Sequence, residues 1–164
     1  VALRNLGACI SPDNAWIFLQ GAETLPLRMR THSENARRVA EFLAEDHRVS
    51  WVRYPGLADH PTHQTAAKYL TKGFGGMVVF GIEGGSEAAV KLIDSIDLFS
   101  HLANVGDAKS LILHPSSTSH SQLSEQQQRE GGLTPELIRL SIGLEHIDDI
   151  LEALDEGLSA AHEA

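Results

Sequence analysis

The sequence contains a single cysteine, Cys9, among 164 residues. One thiol excludes an internal disulfide and a cysteine-based metal site, and it suits a reducing compartment, so we expect a cytoplasmic protein. Positive charge is also scarce, because 13 lysine and arginine residues stand against 22 aspartate and glutamate residues, and the formal net charge is -9. Nucleic acids and anionic membranes are bound by clustered positive charge, and we therefore expect neither as a partner.

Long apolar runs are absent as well. No stretch approaches the roughly 20 apolar residues that a membrane-spanning helix needs, and no signal-peptide pattern is present. The glycine pairs that bound residues 75–85 lack the spacing of a phosphate-binding loop. At 164 residues the chain has the size of one domain with its own hydrophobic core. Its first residue is Val1 rather than methionine, as expected for a piece of a longer protein.

The periodicity of apolar residues switches along the chain between that of strands and that of helices. Strand-like runs lie near residues 50, 77, 111 and 138, and helical repeats separate most of them. This arrangement predicts an α+β domain with a roughly four-stranded, largely antiparallel sheet and its helices on one face.

Start signals predict where several helices begin. Ser11 precedes a proline and predicts a helix start, and Pro26 should kink that helix or mark a restart. Thr31 and Glu34 have the spacing of a capping box, which predicts another helix start at Thr31. Ser86 is the predicted N-cap of the helix that follows the glycine-bounded strand.

The segment at residues 133–158 has the pattern of a short strand that runs into a closing helix. A strand period of two separates its residues into two faces. One face carries Ile138, Leu140, Ile142 and Leu144, and the other carries Leu137, Arg139, Ser141 and Gly143. A cation among small residues needs an anion to offset its desolvation, so Arg139 is the first candidate for chemistry. The anion is either a bound carboxylate or an Asp or Glu of the same domain.

Hydroxyl side chains dominate the loop after Pro115, where four Ser and Thr residues at 116–119 precede His120. Polar loops beside strand ends are where binding groups tend to lie, and a plain solvated loop is the alternative. His60 and His63 are three residues apart in another loop, but the sequence places no third ligand near them. We interpret those two histidines as surface residues rather than as a metal site.

Three stretches of the chain, in order, resemble one known family. They are LQGAETLPLRMRTHSENA at 19–36, LFSHLANVGDAKSLILHPSSTSHSQLS at 98–124 and LTPELIRLSIGLEHIDDILEAL at 133–154. Together they resemble the C-terminal third of the Cys/Met-metabolism (transsulfuration) family of pyridoxal-phosphate enzymes, and the O-acetylhomoserine sulfhydrylase branch is the most similar. The motifs RLSIGLE, NVGDAKSL and HPSSTSHSQL are specific in combination, and the likeness covers nearly the whole chain.

The resemblance implies a fold and a division of the chain. The fold would be the small C-terminal domain of a fold-type I enzyme, which closes over a cofactor held by a larger domain earlier in the protein. Residues 31–164 would form this substrate-carboxylate domain, and residues 1–30 would form a helical segment that joins it to the cofactor domain. The family also implies a homo-oligomer, a tetramer built from dimers.

The resemblance implies roles for individual residues too. Arg139, the arginine of RLSIGLE, would bind the α-carboxylate of an amino-acid substrate, with help from Ser110 in the KSL motif. Lys109 lies where cystathionine-processing relatives often have an acidic residue, which favours a substrate with an O-acetyl leaving group. Thr118 of the hydroxyl-rich loop completes the predicted substrate-binding set.

Pyridoxal 5'-phosphate would be the cofactor, and its chemistry needs a lysine that forms a Schiff base. The family places that lysine in a Ser-x-Thr-Lys setting, which no lysine of this sequence has. The lysines are Lys68, Lys72, Lys91 and Lys109. We therefore expect the missing domain to bind the cofactor, and we expect this chain alone to be inactive and to contain no catalytic residue.

The implied reaction of the whole protein is a γ-replacement. O-acetyl-L-homoserine would lose acetate and gain sulfide or a thiol, which gives homocysteine or methionine. Two alternatives stay open. The chain could belong to a cystathionine γ-synthase or γ-lyase, or it could be a non-catalytic carboxylate-binding or assembly module.

Overall fold

The computed structural model describes residues 2–163, in which helices and short strands alternate. The helices are α1 Ala2–Leu6, α2 Pro12–Glu23, α3 Leu25–Glu45, α4 His63–Tyr69, α5 Gly85–Ser95, α6 Glu125–Glu130 and α7 Ile147–His162. The strands are β1 Val49–Arg53, β2 Met77–Ile82, β3 Ser100–His101, β4 Leu111–Leu113 and β5 Leu137–Ser141. Within the described part of the chain, none of the helices has the length and apolar character needed to cross a membrane.

The strands form one five-stranded sheet in the order β1-β2-β5-β4-β3. Three of the pairings are antiparallel, and β3 pairs parallel with β4. The α+β class is confirmed, but the predicted count of four strands is wrong because β3 adds a fifth, parallel strand. This strand contains only Ser100 and His101, so it is too short to show an alternating pattern in the sequence. Its position depends on β4, since the Ser100 N–H donates to the Ser110 carbonyl at 3.0 Å.

One face of the sheet packs against α3, α5 and α7, and we call it the helix-covered face. Its strand residues include Phe80, Ile138 and Leu140, which have no exposed surface. The helices contribute Val39 and Leu43 from α3, Leu92 from α5, and Ile150, Leu154 and Leu158 from α7. Within α3 and α7 those residues recur every four positions, as in helices that bury one side. This face is the hydrophobic core, with the helices on one side as predicted.

Pro26 marks a restart of the helical chain. α2 ends at Glu23, and α3 begins at Leu25 with Pro26 in its first turn, where a missing backbone N–H breaks no helical hydrogen bond. The helix start predicted at Thr31 is wrong, because that residue lies inside α3. Its hydroxyl donates to the Leu27 carbonyl at 3.3 Å, so it serves the helix interior and caps nothing.

The two predicted N-caps have different outcomes. The Ser11 cap is confirmed, since its hydroxyl accepts a hydrogen bond from the Asn14 N–H at 3.2 Å. The Ser86 cap is wrong, because the N-cap of α5 is Gly84 and Ser86 lies in the first turn. Gly84 has a φ of 94°, a conformation that favours glycine, and this left-handed turn starts the helix earlier than the serine suggests.

Candidate functional site

A row of side chains crosses the sheet on the side away from α3, α5 and α7. In the strand register Val79 is the partner of both Arg53 and Arg139. Leu113 pairs with Arg139 on its other side. Directly paired residues point to the same face of a sheet, so both arginines share one face. We call the side that carries these four residues the open face.

A pocket of about 280 Å³ lies on the open face. Its lining combines apolar side chains with a few polar ones. The lining includes Arg53, Val79, Ser119, His120, Leu137 and Arg139. Of the described residues, two arginines and no Asp or Glu line this pocket, so their fixed charge is positive. Such a combination of apolar surface and a few polar groups suits a small anionic molecule.

Arg139 is half-buried in this pocket. Its Nη2 atom donates to the Asn104 carbonyl oxygen at 2.8 Å. Among the Asp and Glu side chains that the structure describes, which leave out Glu125, none has an oxygen within 4.0 Å of its guanidinium. The alternative of an ion pair inside the domain therefore has no partner among these described side chains. A guanidinium has five N–H donors, and one carbonyl leaves most of them available for a carboxylate.

The Asn104 carbonyl belongs to the segment between β3 and β4, residues 102–110, which we call the crossing segment. Gly106 has a φ of 74°, a conformation that favours glycine and lets the backbone turn here. Its N–H lies 3.4 Å from the Ser141 hydroxyl, at the end of β5. The crossing segment therefore lies over the end of β5, on the same face as Arg139.

Ser110, a predicted substrate-binding residue, is fully buried. Its N–H donates to Glu145 Oε1 at 2.6 Å, and its hydroxyl donates to Glu145 Oε2 at 2.9 Å. The same hydroxyl accepts a hydrogen bond from the Gly143 N–H at 2.9 Å. The proton and one lone pair of this hydroxyl are thus used within the chain, and a direct bond to a substrate would have to replace one of these contacts.

Lys109 and Thr118 lie outside the lining of the open-face pocket. The Lys109 side chain is exposed, and its backbone N–H donates to Asp107 Oδ1 at 3.1 Å. The Thr118 hydroxyl donates to the His114 carbonyl at 2.7 Å, which closes a turn of the polar loop. Of the four predicted residues, the structure therefore places only Arg139 in the pocket.

The polar loop after Pro115 is ordered by a buried histidine, His114. One ring nitrogen lies 2.8 Å from the Ser117 hydroxyl, and the other lies 2.7 Å from the Pro135 carbonyl. These contacts fold the loop onto the sheet and bring Ser119 and His120 to the pocket. The loop is thus more than a solvated connection, although its role in binding stays a prediction.

Sequence reasoning missed Arg53 as a pocket residue, and it named Ser119 and His120 only as members of a polar loop that could bind. Arg53 is exposed, and its guanidinium lies 4.8 Å from the centre of the Trp51 ring. The arginine therefore stacks on this neighbour. The sequence does place Arg53 in a predicted strand, two residues after Trp51 and therefore on the same face of that strand. The register that brings Arg53 near Arg139 is not visible in the sequence.

The two loop histidines have separate environments. A ring nitrogen of His60 lies 3.1 Å from the Thr62 hydroxyl. The His63 ring stacks on Phe74 with 5.6 Å between ring centres. In the part of the chain that the structure describes, no group of three His, Cys, Asp or Glu side chains is placed to hold a metal ion.

The sequence model of the Cys/Met metabolism PLP-dependent enzyme family matches residues 1–159. The chain belongs to this family. It is 57% identical over 157 residues to the O-acetyl-L-homoserine sulfhydrylase of Leptospira meyeri, covering 95% of this chain and 36% of the relative. It is 48% identical over 157 residues to O-acetyl-L-homoserine sulfhydrylase 1 of Thermus thermophilus, covering 96% of this chain and 37% of the relative. The chain thus spans little more than a third of these relatives.

Solved structures of the family have the same fold. A putative O-acetylhomoserine (thiol)-lyase from Campylobacter jejuni, which contains a pyridoxyl-lysine monophosphate, matches with a TM-score of 0.88 at 44% identity, over 97% of this chain and 38% of its own. Cystathionine gamma synthase from Xanthomonas oryzae, in complex with cystathionine, matches with a TM-score of 0.86 at 41% identity, over 96% of this chain and 40% of its own. The fold of this chain is therefore shared by relatives whose names give two different activities.

Covalent attachment of the family's cofactor does not fit the lysines of this chain. Lys68, Lys72, Lys91 and Lys109 are all exposed, and none of them lines the open-face pocket. A lysine that forms a Schiff base is activated by desolvation or by a neighbouring cation in an enclosed site. These residues lack that setting. The cationic pocket around Arg139 is the candidate site that this chain does contain.

Proposed function

We propose that this chain is the C-terminal, substrate-carboxylate-binding part of a pyridoxal-phosphate-dependent O-acetylhomoserine sulfhydrylase. The whole protein would replace the acetoxy group of O-acetyl-L-homoserine with sulfide or a thiol, giving homocysteine or methionine and acetate. Residues 31–164 would form the substrate domain, and residues 1–30 would join it to the cofactor-binding part. The assembled protein would be a cytoplasmic homo-oligomer, a tetramer by analogy with the family.

The observation that carries this proposal is the environment of Arg139. Its guanidinium is half-buried in a partly apolar pocket, and among the described residues it has a carbonyl oxygen but no carboxylate as a partner. A carboxylate bound there would accept two parallel hydrogen bonds from the planar guanidinium. A charge-assisted pair of this kind contributes roughly 1.5–3 kcal/mol in all.

This chain would bind and orient the substrate and would not make or break its bonds. Holding the α-carboxylate at Arg139 restricts where the rest of the amino acid can lie. The cofactor, bound by another part of the protein, would supply the chemistry of the γ-replacement. Lys109 and Thr118 stay predicted substrate contacts, whereas the contacts of Ser110 support an indirect role.

The test is the replacement of Arg139 in the full-length enzyme. Arg139→Ala should raise the KM for O-acetyl-L-homoserine about ten- to a hundred-fold, because a charge-assisted pair is lost. We expect kcat to fall as well, since the same contact orients the substrate, while cofactor absorbance and Tm stay close to wild type. Arg139→Lys should keep the charge without the planar fork and so show a partial defect.

A matched control is Arg38→Ala on the far side of the domain. Arg38 is exposed on α3 and lies 3.8 Å from Asp148, a surface pair that contributes little to stability. This variant should leave KM unchanged. If Arg139→Ala instead lowers Tm and leaves KM unchanged, the arginine has only a structural role and the proposed carboxylate site is wrong.

A cystathionine γ-synthase is a second candidate, because the Xanthomonas oryzae enzyme of that name has the same fold with a TM-score of 0.86. Both activities use an activated homoserine, and they differ in whether sulfide or cysteine is the acceptor. Steady-state assays of the full-length protein with each acceptor would separate them. We expect a higher kcat/KM with sulfide, and preferred turnover of cysteine or of cystathionine would favour the synthase or the γ-lyase.

A non-catalytic carboxylate-binding or assembly module is the candidate from another functional class. It predicts that a species with the mass of this chain, 17.8 kDa, exists in the source cells. Intact-mass measurement of the native protein would decide. The proposed enzyme requires a species of more than twice this mass, since the chain covers 36% to 40% of the relatives described above.

A further inference from the structure

A hydrogen-bond network ties the start of β4 to the turn that follows β5. The Glu145 carboxylate accepts both the N–H and the hydroxyl proton of Ser110, at 2.6 and 2.9 Å. The Ser110 hydroxyl in turn accepts the Gly143 N–H at 2.9 Å. Ser110 is fully buried and Glu145 is partly buried, so these bonds are shielded from water and hold their partners in one arrangement.

Helix α3 holds the same turn from its other side. The Asn35 amide donates to the carbonyls of Gly143 and Glu145, each at 3.1 Å. Nδ1 of His32 lies 2.6 Å from the Ile142 carbonyl, and since a carbonyl only accepts, this nitrogen carries the proton. The turn at residues 142–145 is thus bonded both to the crossing segment and to α3.

Gly143 gives this turn its close approach to the crossing segment. A Cβ at position 143 would lie 2.5 Å from the Ser110 backbone nitrogen and 2.6 Å from the Ala108 carbonyl oxygen. Both atoms belong to the backbone, which cannot move aside as the end of a side chain can. Close contact between the two segments therefore requires glycine here.

The network also controls one end of the crossing segment. The Leu144 N–H donates to the Ala108 carbonyl at 2.8 Å, next to the Ser110 bonds. Earlier in the same segment, the Asn104 carbonyl accepts the hydrogen bond from Arg139. The partner of the Arg139 guanidinium is thus part of a segment whose other end is held by Glu145.

We propose that Glu145 is a positioning residue for Arg139. It acts through Ser110, by fixing the crossing segment against the turn after β5, and so it sets the direction of the Arg139 guanidinium. The inference rests on the proposed function for its effect on substrate binding, but the coupling between the two residues can be measured separately. Ser110 serves in this arrangement as the link between them and does not itself need to touch the substrate.

Asp46 offers a matched control for Glu145. Its carboxylate accepts the Arg48 backbone N–H at 2.8 Å and the Arg48 Nε–H at 2.9 Å, so it too binds one residue through backbone and side chain. It lies at the end of α3, remote from the open-face pocket. Removing either carboxylate breaks a comparable set of bonds, but only Glu145 holds the crossing segment.

The experiment compares Glu145→Ala, Glu145→Gln and Asp46→Ala in the full-length holoenzyme. The first measurement is the rate at which phenylglyoxal modifies Arg139, followed by peptide mass spectrometry. The second is the split between KM and kcat for O-acetyl-L-homoserine. Glu145→Ala should change the rate of Arg139 modification several-fold and raise KM roughly ten-fold, because the guanidinium loses its fixed direction. Glu145→Gln keeps one acceptor and should show a smaller change of the same kind.

The control should lower Tm without altering either measurement at Arg139. If Glu145→Ala lowers Tm like Asp46→Ala and leaves both the modification rate and KM unchanged, the network is only structural and the inference is wrong. Should Glu145→Ala fail to fold, Glu145→Gln and Ser110→Ala carry the same test, since each removes part of the link.

The two proposals can fail independently. If Arg139→Ala leaves KM unchanged, the carboxylate-binding function is wrong, whatever happens at Glu145. The rate of Arg139 modification would still respond to Glu145 if the positioning is real. An unchanged modification rate in every Glu145 and Ser110 variant would reject the positioning even if Arg139 binds substrate.

Discussion

The two faces of the sheet differ in where their contacts come from. On the helix-covered face, Phe80 and Ile138 have no exposed surface, and their neighbours are helices of the same chain. On the open face, Val79 and Arg139 are only half-buried and line a pocket. The same strands thus present one completed surface and one that remains available for a ligand or for another part of the protein.

The two faces of one strand therefore differ in role. One face stabilises the fold, and the other is the candidate binding surface. Burial of apolar area on the helix-covered face forms the hydrophobic core, and the open face adds fewer buried residues, such as Leu113 and Leu137. The open face can therefore carry a cation, whose desolvation would be costly in the core. Like the open face, the α2 helix is not covered by the rest of the described chain, because none of its residues is buried.

The largest expected effect is on the free energy of unfolding, and it is seen by comparing two neighbouring residues of β2. Phe80→Ala should lower the free energy of unfolding by about 3–5 kcal/mol, because it leaves a cavity in the packed core. Val79→Ala, on the open face, should lower it by roughly 1 kcal/mol, since its side chain is only half-buried. Urea unfolding of both variants, followed by circular dichroism, measures the two values. Equal losses would contradict the division between the faces.

The next effect concerns the exposed apolar side chains of α2. Trp16 and Phe18 are 62% and 69% exposed, so we expect the 164-residue chain to self-associate and to bind an apolar dye. Replacing both by serine should weaken self-association at least about ten-fold in sedimentation experiments.

Tyr69→Ser is the control for this change, because Tyr69 is 70% exposed on the separate helix α4. Its replacement should leave the association unchanged. A wild-type chain that sediments as a compact monomer, with no dye-binding surface, would show that α2 needs no partner.

A smaller effect distinguishes the two arginines of the open face. Arg53 is exposed and stacks on Trp51, so its charge is screened by solvent. Arg53→Ala in the full-length enzyme should raise the KM for O-acetyl-L-homoserine less than about three-fold, against the much larger rise expected for Arg139→Ala. Equal rises would mean that the pocket binds the anion between both guanidiniums.

The smallest expected effect is on how Tm depends on pH, and it concerns Asp46. A hydrogen bond from the Arg48 side chain, opposed by burial, lowers the pKa of Asp46 below its ordinary value. A carboxyl group with a lowered folded-state pKa stabilises the fold above its unfolded pKa, and this stabilisation is lost as the pH falls through the folded-state pKa. Asp46→Asn should therefore lower Tm at pH 7, and the gap from wild type should shrink below about pH 4.

Measuring Tm for both proteins at pH 7 and pH 3 tests this expectation. Asp155→Asn is a suitable comparison, because its carboxylate also contacts Arg48 but its side chain is 58% exposed. The difference in Tm between Asp155→Asn and the wild type should be smaller. A gap that is the same at both pH values would mean that Asp46 stabilises the fold without its charge.

Most of the helices and strands could be predicted because their signals are local. Ser11 bonds a residue three positions away, and the alternation in β5 needs only neighbouring residues. The wrong predictions have causes both near and far in the chain. Thr31 has the spacing of a cap but lies inside α3, since Pro26 starts the helix one and a half turns earlier. β3 exists because β4 pairs with it.

The candidate site was predictable to a smaller extent. Arg139 was found because a strand period of two separates it from its apolar neighbours. Ser110 stays a predicted substrate contact, and the sequence did not show that its hydroxyl bonds Glu145 and Gly143. No local pattern reports a contact of that kind, because its partners come from the turn after β5, more than 30 residues later in the chain.

By itself, the sequence determined that Arg139 and Ile138 point to opposite faces of a strand, because side-chain direction alternates with the backbone. Only the tertiary structure decided what surrounds the arginine. Strand pairing brought Arg53 to the same face, and the crossing segment supplied the Asn104 carbonyl. The reason is physical: alternation follows from the geometry of consecutive residues, whereas register and loop placement follow from how distant segments share one core.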